Sequence, residues 1–394
     1  VRAERFLFLP LANVVLTARP LRPAIEARLH ESLAAFKEMV LRLHREMAVY
    51  IASAARKRTR IAAIGHPNFA HHVLNELAAI DFALRHTPAD VPEEIWVDRE
   101  TVAPIERIVP EVTSRVVRLA DLPYQERFRR IVADQVAMCS WHAQWVTSSL
   151  RNRLADVAQA ITPVPARDDI ARLRSNPNLV VWVSVKEDNR RCLNLPETIS
   201  TIVRQAARRF GPISLILDGV SFPWDWKPAH GGRIFNPEHI EAVNGTIQRI
   251  LSECREHITT WVNLNGRSIA EALEWSKSAD VYFCHYGSQQ HKLFFASERA
   301  HGLIHGNDSV VSRRGPRLSY MRALGDFRCD FVPRSAVRDA ETVGDGVEGL
   351  RGSVNLKDYR LVSGDVQSAW QKTLDVMETV ALARRKRSSK VAWL

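Results

Sequence analysis

Four apolar runs in the second half of the chain, each followed by a helical stretch, restrict its fold more than any other feature. They are "LVVWVSV" (179–185), "ISLILD" (213–218), "ITTWVN" (258–263) and "DVYFC" (280–284). Between them lie "PETISTIVRQAARRF" (196–210), "NPEHIEAVNGTIQRILSEC" (236–254) and "SIAEALEWSKSA" (268–279), each with apolar residues at helical spacing. Asn236 with Pro237 behind it, and Ser268, stand where helix caps belong. A short strand, "GLIHG" (302–306), follows. Strand and helix in regular alternation predict parallel βα units, and "LVVWVSV" reads as a strand buried in such a sheet.

The first half repeats the pattern. "RIAAIG" (60–65), "EIWVD" (94–98) and "SRVVRL" (114–119) are predicted strands. "HHVLNELAAIDFALRH" (71–86) and "RETVAPIERIV" (99–109) are predicted helices between them. A long helix is expected over 24–56, and 124–160 reads as helical with a polar break at "SSLRNR". "VRAERFLFLPLANVVL" reads as a first strand and not a signal peptide, since its apolar run is short and no small-residue cleavage pattern follows. "ITPVPARDD" (161–169), with two prolines, reads as a linker, and 365–385 as a terminal helix. The chain has 394 residues, enough for two ordinary domains. The expected fold is therefore α/β: two Rossmann-like doubly wound domains, 1–160 and 170–364, then a helix packing back and a basic tail over 365–394. Residues 313–352 carry no regular pattern.

Composition narrows the function. With 46% hydrophobic and 25% charged residues the chain is globular, not disordered. It contains no apolar run of ~18 residues, so no spanning helix is expected. Its five cysteines, at 139, 192, 254, 284 and 329, lie too far apart for a short-spaced metal site and suit a reducing cytoplasm. The net charge of +11 calls for an anionic partner. Nucleic acid is not expected, because no nucleic-acid module matches. The basic tail "ARRKRSSK" (383–390) suits peripheral contact with an anionic membrane face, or is simply a solvated helix end.

In open α/β sheets ligands bind at the carboxyl ends of strands. Four loops there are polar. "KEDNRRCLN" follows the first strand of the second series and offers Lys186, Arg190 and Arg191, which suit a phosphate. "DGVSFPWDW" follows the second, with Asp218 at the strand terminus and Trp224 and Trp226 behind it. "NLNGRS" follows the third, and "HYGSQQHK" the fourth. This last loop places Gly287 and Ser288 before a predicted helix, whose backbone N–H groups can bind an anion. His285, Gln290, His291 and Lys292 add donors or charge. In the first half, "IGHPNFAHHVLNEL" (64–77) is the counterpart: His66 and Asn68 precede the helix, and His71 with Asn75 and His72 with Glu76 share helix faces. Each of these groups also has a bland reading as a turn former, a cap or a solvated charge. No metal ligand set appears, and no G-x-G-x-x-G follows a strand, which disfavours a dehydrogenase.

Two Rossmann-like domains, no Asp-x-Asp motif and a C-terminal helix returning toward the first domain resemble a GT-B glycosyltransferase. "NFAHHVLNELAAI", "VWVSVKEDNRR", "LILDG" and "FCHYGSQQHK" are similar to elements of bacterial surface-polysaccharide glycosyltransferases, including the type that transfers β-Kdo from CMP-Kdo. The resemblance implies a nucleotide-sugar donor on the second domain, at 186–194, 218–226 and 285–292. It implies a glycan or lipid-linked acceptor facing 65–76 and activity without metal or cofactor; the cysteines and the basic tail give the expected location, the cytoplasm, with the inner membrane face as an option. The chain departs from many such enzymes in having no clear acidic residue late in the second domain to grip a donor ribose.

Two mechanisms stay open at this stage. A His71 or His72 imidazole takes the acceptor proton in an inverting reaction, or Asp218 is the nucleophile of a retaining one. In either case Arg190, Lys292 and the Ser288 turn would stabilise the leaving nucleotide. Two other classes fit the same layout: a nucleotide-sugar epimerase, and a non-catalytic interaction protein.

Overall fold

The computed structural model describes residues 6–9, 14–17, 34, 37–38, 41–53, 59–122, 124–139, 143, 145–188, 190–226, 237–297, 300–313, 315, 328–343 and 357–391. The expected first strand is instead two, β1 (Phe6–Leu9) and β2 (Val14–Thr17), paired antiparallel with Phe6 opposite Thr17. Of the long helix expected over 24–56, His44–Ala52 is a described helix, and 24–33 lie outside the described residues.

The first sheet has four parallel strands: β3 (Arg60–Ile64), β4 (Glu94–Val97), β5 (Val116–Arg118) and β6 (Ala137–Cys139), in the order β5-β4-β3-β6. β6 was expected to be helical. The helix Tyr124–Ala133 stops because Gln135 takes a left-handed backbone (φ 51°), and the chain then lies along β3. The helix expected over 99–109 shrinks to Ile105–Ile108, because Pro104 cannot sit inside a helix. Buried Val73, Leu77, Ile80, Ile95, Ile105, Leu150 and Leu154 form the core beside this sheet.

The second sheet has six parallel strands. β7 (Val180–Ser184) and β8 (Ile213–Asp218) are buried at every position, as runs without alternation should be. β9 (Ser221–Phe222) is a short strand outside this sheet. β10 (Ile258–Asn263) is one of the sheet's two edge strands, and β11 (Arg267–Ser268) pairs with β9. β12 (Val281–His285), β13 (His301–His305) and β14 (Arg328–Phe331) complete the order β10-β8-β7-β12-β13-β14. In strand sequence that is 3-2-1-4-5-6, the doubly wound dinucleotide-binding order. The expected pair of Rossmann-like doubly wound sheets is therefore what the chain forms. β15 (Val337–Val343) and β16 (Lys357–Leu361) make a separate antiparallel pair inside the stretch that carried no pattern.

The segment read as a linker is mostly helix. Ser148–Ile161 ends, and Val164–Ser175 begins after Pro163, with Pro165 in a first turn that needs no amide donor. The C-terminal helix Ser363–Val391 packs beside the second sheet and not the first over its described side chains: Trp370 is fully buried and its Nε1–H donates to the Ile202 carbonyl (3.1 Å). Residues 383–390, the basic run, have no described side chains.

All eight residues of the helix Ile269–Ser276 are buried. Ala272 and Trp275 belong to the core of the second sheet, and Ile269, Ala270 and Leu273 to the core of the first. Phe294, Phe295 and Ala296, from the helix Ser288–Ala296, join the first core as well. Phe69 meets Phe295 edge to face, with ring centroids 5.4 Å apart. The two sheets thus share apolar packing, which resists relative motion.

Candidate active site

The second sheet's order sets β7 and β12 side by side, while their onward connections run to opposite sides. Such a switch point leaves a crevice at the carboxyl ends. The two ends are tied together: the His285 amide donates to Ser184 Oγ at 2.6 Å. Gly287 then caps the helix Ser288–Ala296, whose first amides face outward from the strand end. Gln289 fixes that first turn, donating from Nε2 to the carbonyls of Val185 (2.9 Å) and Gly219 (3.2 Å). Ser288 is half-buried.

The basic loop from β7 enters the same crevice. Arg190 Nη2 lies 4.0 Å from where a Cβ on Gly287 would sit, and His285 Nδ1 lies 3.9 Å from it. Arg190 itself has a left-handed backbone (φ 60°). That conformation costs a non-glycine residue roughly 1–2 kcal/mol and is held only where its surroundings impose it. Here the Arg190 carbonyl accepts from His285 Nε2–H (3.0 Å). Burial holds His285 well below the usual imidazole range, and the charges of Arg190 and Lys186 lower it further. Lys186 is largely buried, pairs with Asp188, and is held well below the usual ammonium range by burial and by Arg190. Arg190 disfavours the charged forms of Lys186 and His285, so the site gains from a bound anion.

The other sequence candidates in this half lie elsewhere. Asp218 is fully buried at the end of an interior strand, and Oδ1 accepts from Lys292 Nζ at 2.6 Å. Lys292 also donates to Ser221 Oγ (2.8 Å). The expectation of an Asp218 carboxylate projecting into the cleft, with Lys292 reaching a phosphate, is corrected: the two neutralise each other beneath the crevice. Sequence spacing could not reveal this, because the partners are 74 positions apart. Gln290 is likewise buried, 1% exposed, and its amide makes no hydrogen bond among the described residues. Its neighbour Gln289 lines the crevice in its place. Arg191 turns away to Asp358. His291 is buried, donates from Nδ1 to the Gly287 carbonyl (2.8 Å), and burial pushes its pKa down to about 4.

The first sheet has its own switch point, between β3 and β6. Gly65 follows β3 at φ 139°, and a Cβ there would sit 2.7 Å from the Arg99 amide. Only glycine passes the end of β4 so closely. Asn68 caps the next helix, its Oδ1 accepting from the amides of Ala70 (3.0 Å) and His71 (3.3 Å). A π turn, His72–Leu77, follows, a feature frequent at functional sites. His72 is buried and donates from Nδ1 to Glu76 Oε2 (2.7 Å). Glu76 also accepts from the amides of Gly65 (3.0 Å) and His66 (3.1 Å). Burial raises the Glu76 carboxyl, but His72 and those two amides outweigh it and hold the pKa below the usual value. The dyad therefore braces the loop. His71 is exposed, with Asn75 Nδ2 donating to its Nδ1 (3.2 Å) and the His66 ring 4.7 Å away.

The two switch points approach each other. His71 is near enough to His291 for its charge to lower that imidazole further. A second bridge joins the carboxyl edges: the Trp224 amide donates to the Thr101 carbonyl (3.0 Å), and the Glu100 amide to Asp225 Oδ2 (2.9 Å). Trp226 stacks on Phe222 at 4.1 Å, and Trp224 is 44% exposed at this junction. Among the described residues no cluster of three or more His, Cys, Asp or Glu is placed to hold a metal ion. No described helix is long and apolar enough to cross a membrane.

No family model matches the chain, and no curated protein sequence matches it. Solved structures overlap it loosely. A UDP-GlcNAc 2-epimerase from Methanocaldococcus jannaschii aligns over 73% of this chain and 70% of its own, at 8% identity and TM-score 0.32. A family 9 glycosyl transferase from Veillonella parvula aligns over 63% and 81%, at 8% identity and TM-score 0.33. A trehalose-6-phosphate protein from E. coli, bound with UDP-2-fluoro glucose, aligns over 85% and 74%, at 11% identity and TM-score 0.32. Likeness this slight decides no chemistry, so function rests on the geometry of the chain itself.

Proposed function

We propose that this chain is a glycosyltransferase of the GT-B type, moving a sugar from a nucleotide-activated donor to a glycan or glycolipid acceptor. One observation carries the reading: two switch-point loops meet, one cationic with a helix N-terminus, the other bearing an exposed, oriented imidazole. The donor phosphate sits on Arg190, Lys186 and the first amides of the helix Ser288–Ala296. These groups stabilise the charge that develops on the departing nucleotide, in a partly buried setting where such donors count for most. The acceptor hydroxyl approaches from the loop at 65–76, and His71 takes its proton at Nε2. For that, the Asn75 amide turns over, so that its oxygen accepts from Nδ1–H in place of the Nδ2 that donates to Nδ1 in the structure, and Nε2 is left free as the base. His72 and Glu76 hold the loop in place. Asp218, buried on Lys292, is not offered as a nucleophile in this reading, so the proposed reaction is a single displacement by the hydroxyl that His71 deprotonates, with inversion. The sugar, the nucleotide and a surface-polysaccharide role of the β-Kdo kind are the finer part of the proposal, as is a location at the membrane face.

The test begins with binding. Among CMP, UDP and GDP, one at 100 times its dissociation constant should stabilise the fold by about 2.7 kcal/mol. His71→Gln should keep that affinity while transfer falls ~10²–10⁴-fold. If no nucleotide raises the unfolding temperature, the reading fails. Donor turnover with no acceptor and no released sugar would move the chain to the epimerase class.

A further inference from the structure

The loop that carries Arg190 is held by β16, and one buried carboxylate there makes three of the hydrogen bonds. Asp358 lies on β16 and is fully buried. Its Oδ1 accepts from the Arg191 amide (2.7 Å), and its Oδ2 from Arg191 Nε (3.1 Å) and Nη2 (2.9 Å). Both oxygens are therefore engaged by the residue immediately after the left-handed one. The rest of the segment runs along β16 in the same way. The Tyr359 amide donates to the Arg191 carbonyl (2.9 Å), and the Leu193 amide to the Tyr359 carbonyl (2.8 Å). Asn194 exchanges two hydrogen bonds with Leu361, at 2.8 and 2.9 Å.

On its other side Arg190 is held by His285, through its own carbonyl. The left-handed corner thus sits between two fixed points, His285 at the crevice and Asp358 at the brace. A residue with positive φ sends its side chain in a direction that an ordinary loop residue would not. That direction brings the Arg190 guanidinium beside Gly287, at the mouth of the helix. A buried carboxylate is retained only with a partner that meets its charge, and the planar fork of Arg191 does so.

We propose that Asp358 is a positioning residue for anion binding: by fixing Arg191 it holds Arg190 in the left-handed corner, over the N-terminus of the helix Ser288–Ala296. This rests on the donor-site reading above and assigns a role to a residue 167 positions away from the loop it sets. Asp358 is fully buried, so its proposed action passes through the loop.

The experiment measures nucleotide affinity by calorimetry in four proteins: wild type, Asp358→Asn, Arg190→Ala and the double variant. The probes are CMP, UDP, GDP and inorganic pyrophosphate. Asparagine keeps the shape and one acceptor but loses the charge that engages the guanidinium. Asp358→Asn should weaken binding of the best probe about tenfold, the scale of one charge-assisted contact. Arg190→Ala should weaken it at least as much, and the double variant should be no weaker than Arg190→Ala alone. A merely structural role would move the unfolding temperature in both backgrounds and add its own loss of affinity in the double variant. That additive result overturns the proposal, as does wild-type affinity in Asp358→Asn. Should Asp358→Asn not fold, Arg191→Lys keeps the charge and loses the fork, and the same coupling to Arg190 is expected. If the wild type binds none of the four probes, it is the donor-site reading that fails.

Discussion

Replacing Lys292 with methionine should cost the fold about 3–5 kcal/mol, the usual penalty for removing one member of a buried pair. The site meets the conditions for the full effect. The Asp218 side chain is 0% exposed and that of Lys292 is 5% exposed. Oδ2 of Asp218 has no hydrogen-bond partner among the described residues, so Lys292 meets most of the charge. Methionine fills much the same volume, which keeps a cavity out of the comparison. A second route gives the same size. The variant can escape by protonating Asp218, which at pH 7 costs about 4 kcal/mol for a carboxyl with an ordinary pKa near 3.9. For a chain of 394 residues that lowers the unfolding temperature by about 5 °C.

The protonation route also fixes the pH dependence. Burial already raises the Asp218 pKa in the wild type, against the pull of Lys292. In the variant the folded pKa rises further above the unfolded one. The folded state then binds more protons, so the stability the group contributes is present below the unfolded pKa and lost as pH rises through the folded one. The deficit relative to wild type should therefore shrink as pH falls from 7 toward 4. Urea denaturation of both proteins at several pH values measures it. Adding Asp218→Asn should restore most of the loss, since no buried charge remains. A deficit under about 1 kcal/mol, or one that does not change with pH, would refute the reasoning.

Three further outcomes are expected. Burial lowers the His291 pKa to about 4, so the unfolded chain binds the extra proton between its ordinary value near 6.5 and that point. Stability should fall by up to about 1.4 kcal/mol for each pH unit that the pH drops through that window, and His291→Leu should flatten the slope of urea midpoint against pH. Gly65→Ala should destabilise by roughly 1–3 kcal/mol, because a Cβ meets the Arg99 amide at a φ no L-residue favours; an unchanged urea midpoint would count against it. Transfer activity should survive EDTA, since the proposed site offers cations and helix amides to the leaving group; loss restored by Mg²⁺ or Mn²⁺ would point to another mechanism.

The amino-acid sequence by itself determined the class of the fold and the edges where function belongs. Short, largely apolar runs without alternation, such as 180–184 and 213–218, fit interior strands, and helices between them make the sheets parallel. It also marked Gly287-Ser288 and the stretch around His71, because a strand end, a turn and a helix start are all local signals. What it missed is longer in range. β6 was hidden because three residues carry little periodicity, and it is a strand only because β3 lies beside it. Lys292 and Asp218 both read as site residues from their positions after strands. Yet the helix rotates Lys292 inward while Gln289 turns to the crevice, a choice made by packing on the neighbouring strands. Asp358 gave no signal at all: its partner is 167 residues away, and a carboxylate in "KDYRL" looks like any other. Local propensity acts over a few residues, whereas which side chain meets which charge is decided only when distant segments are brought into contact and water is excluded between them.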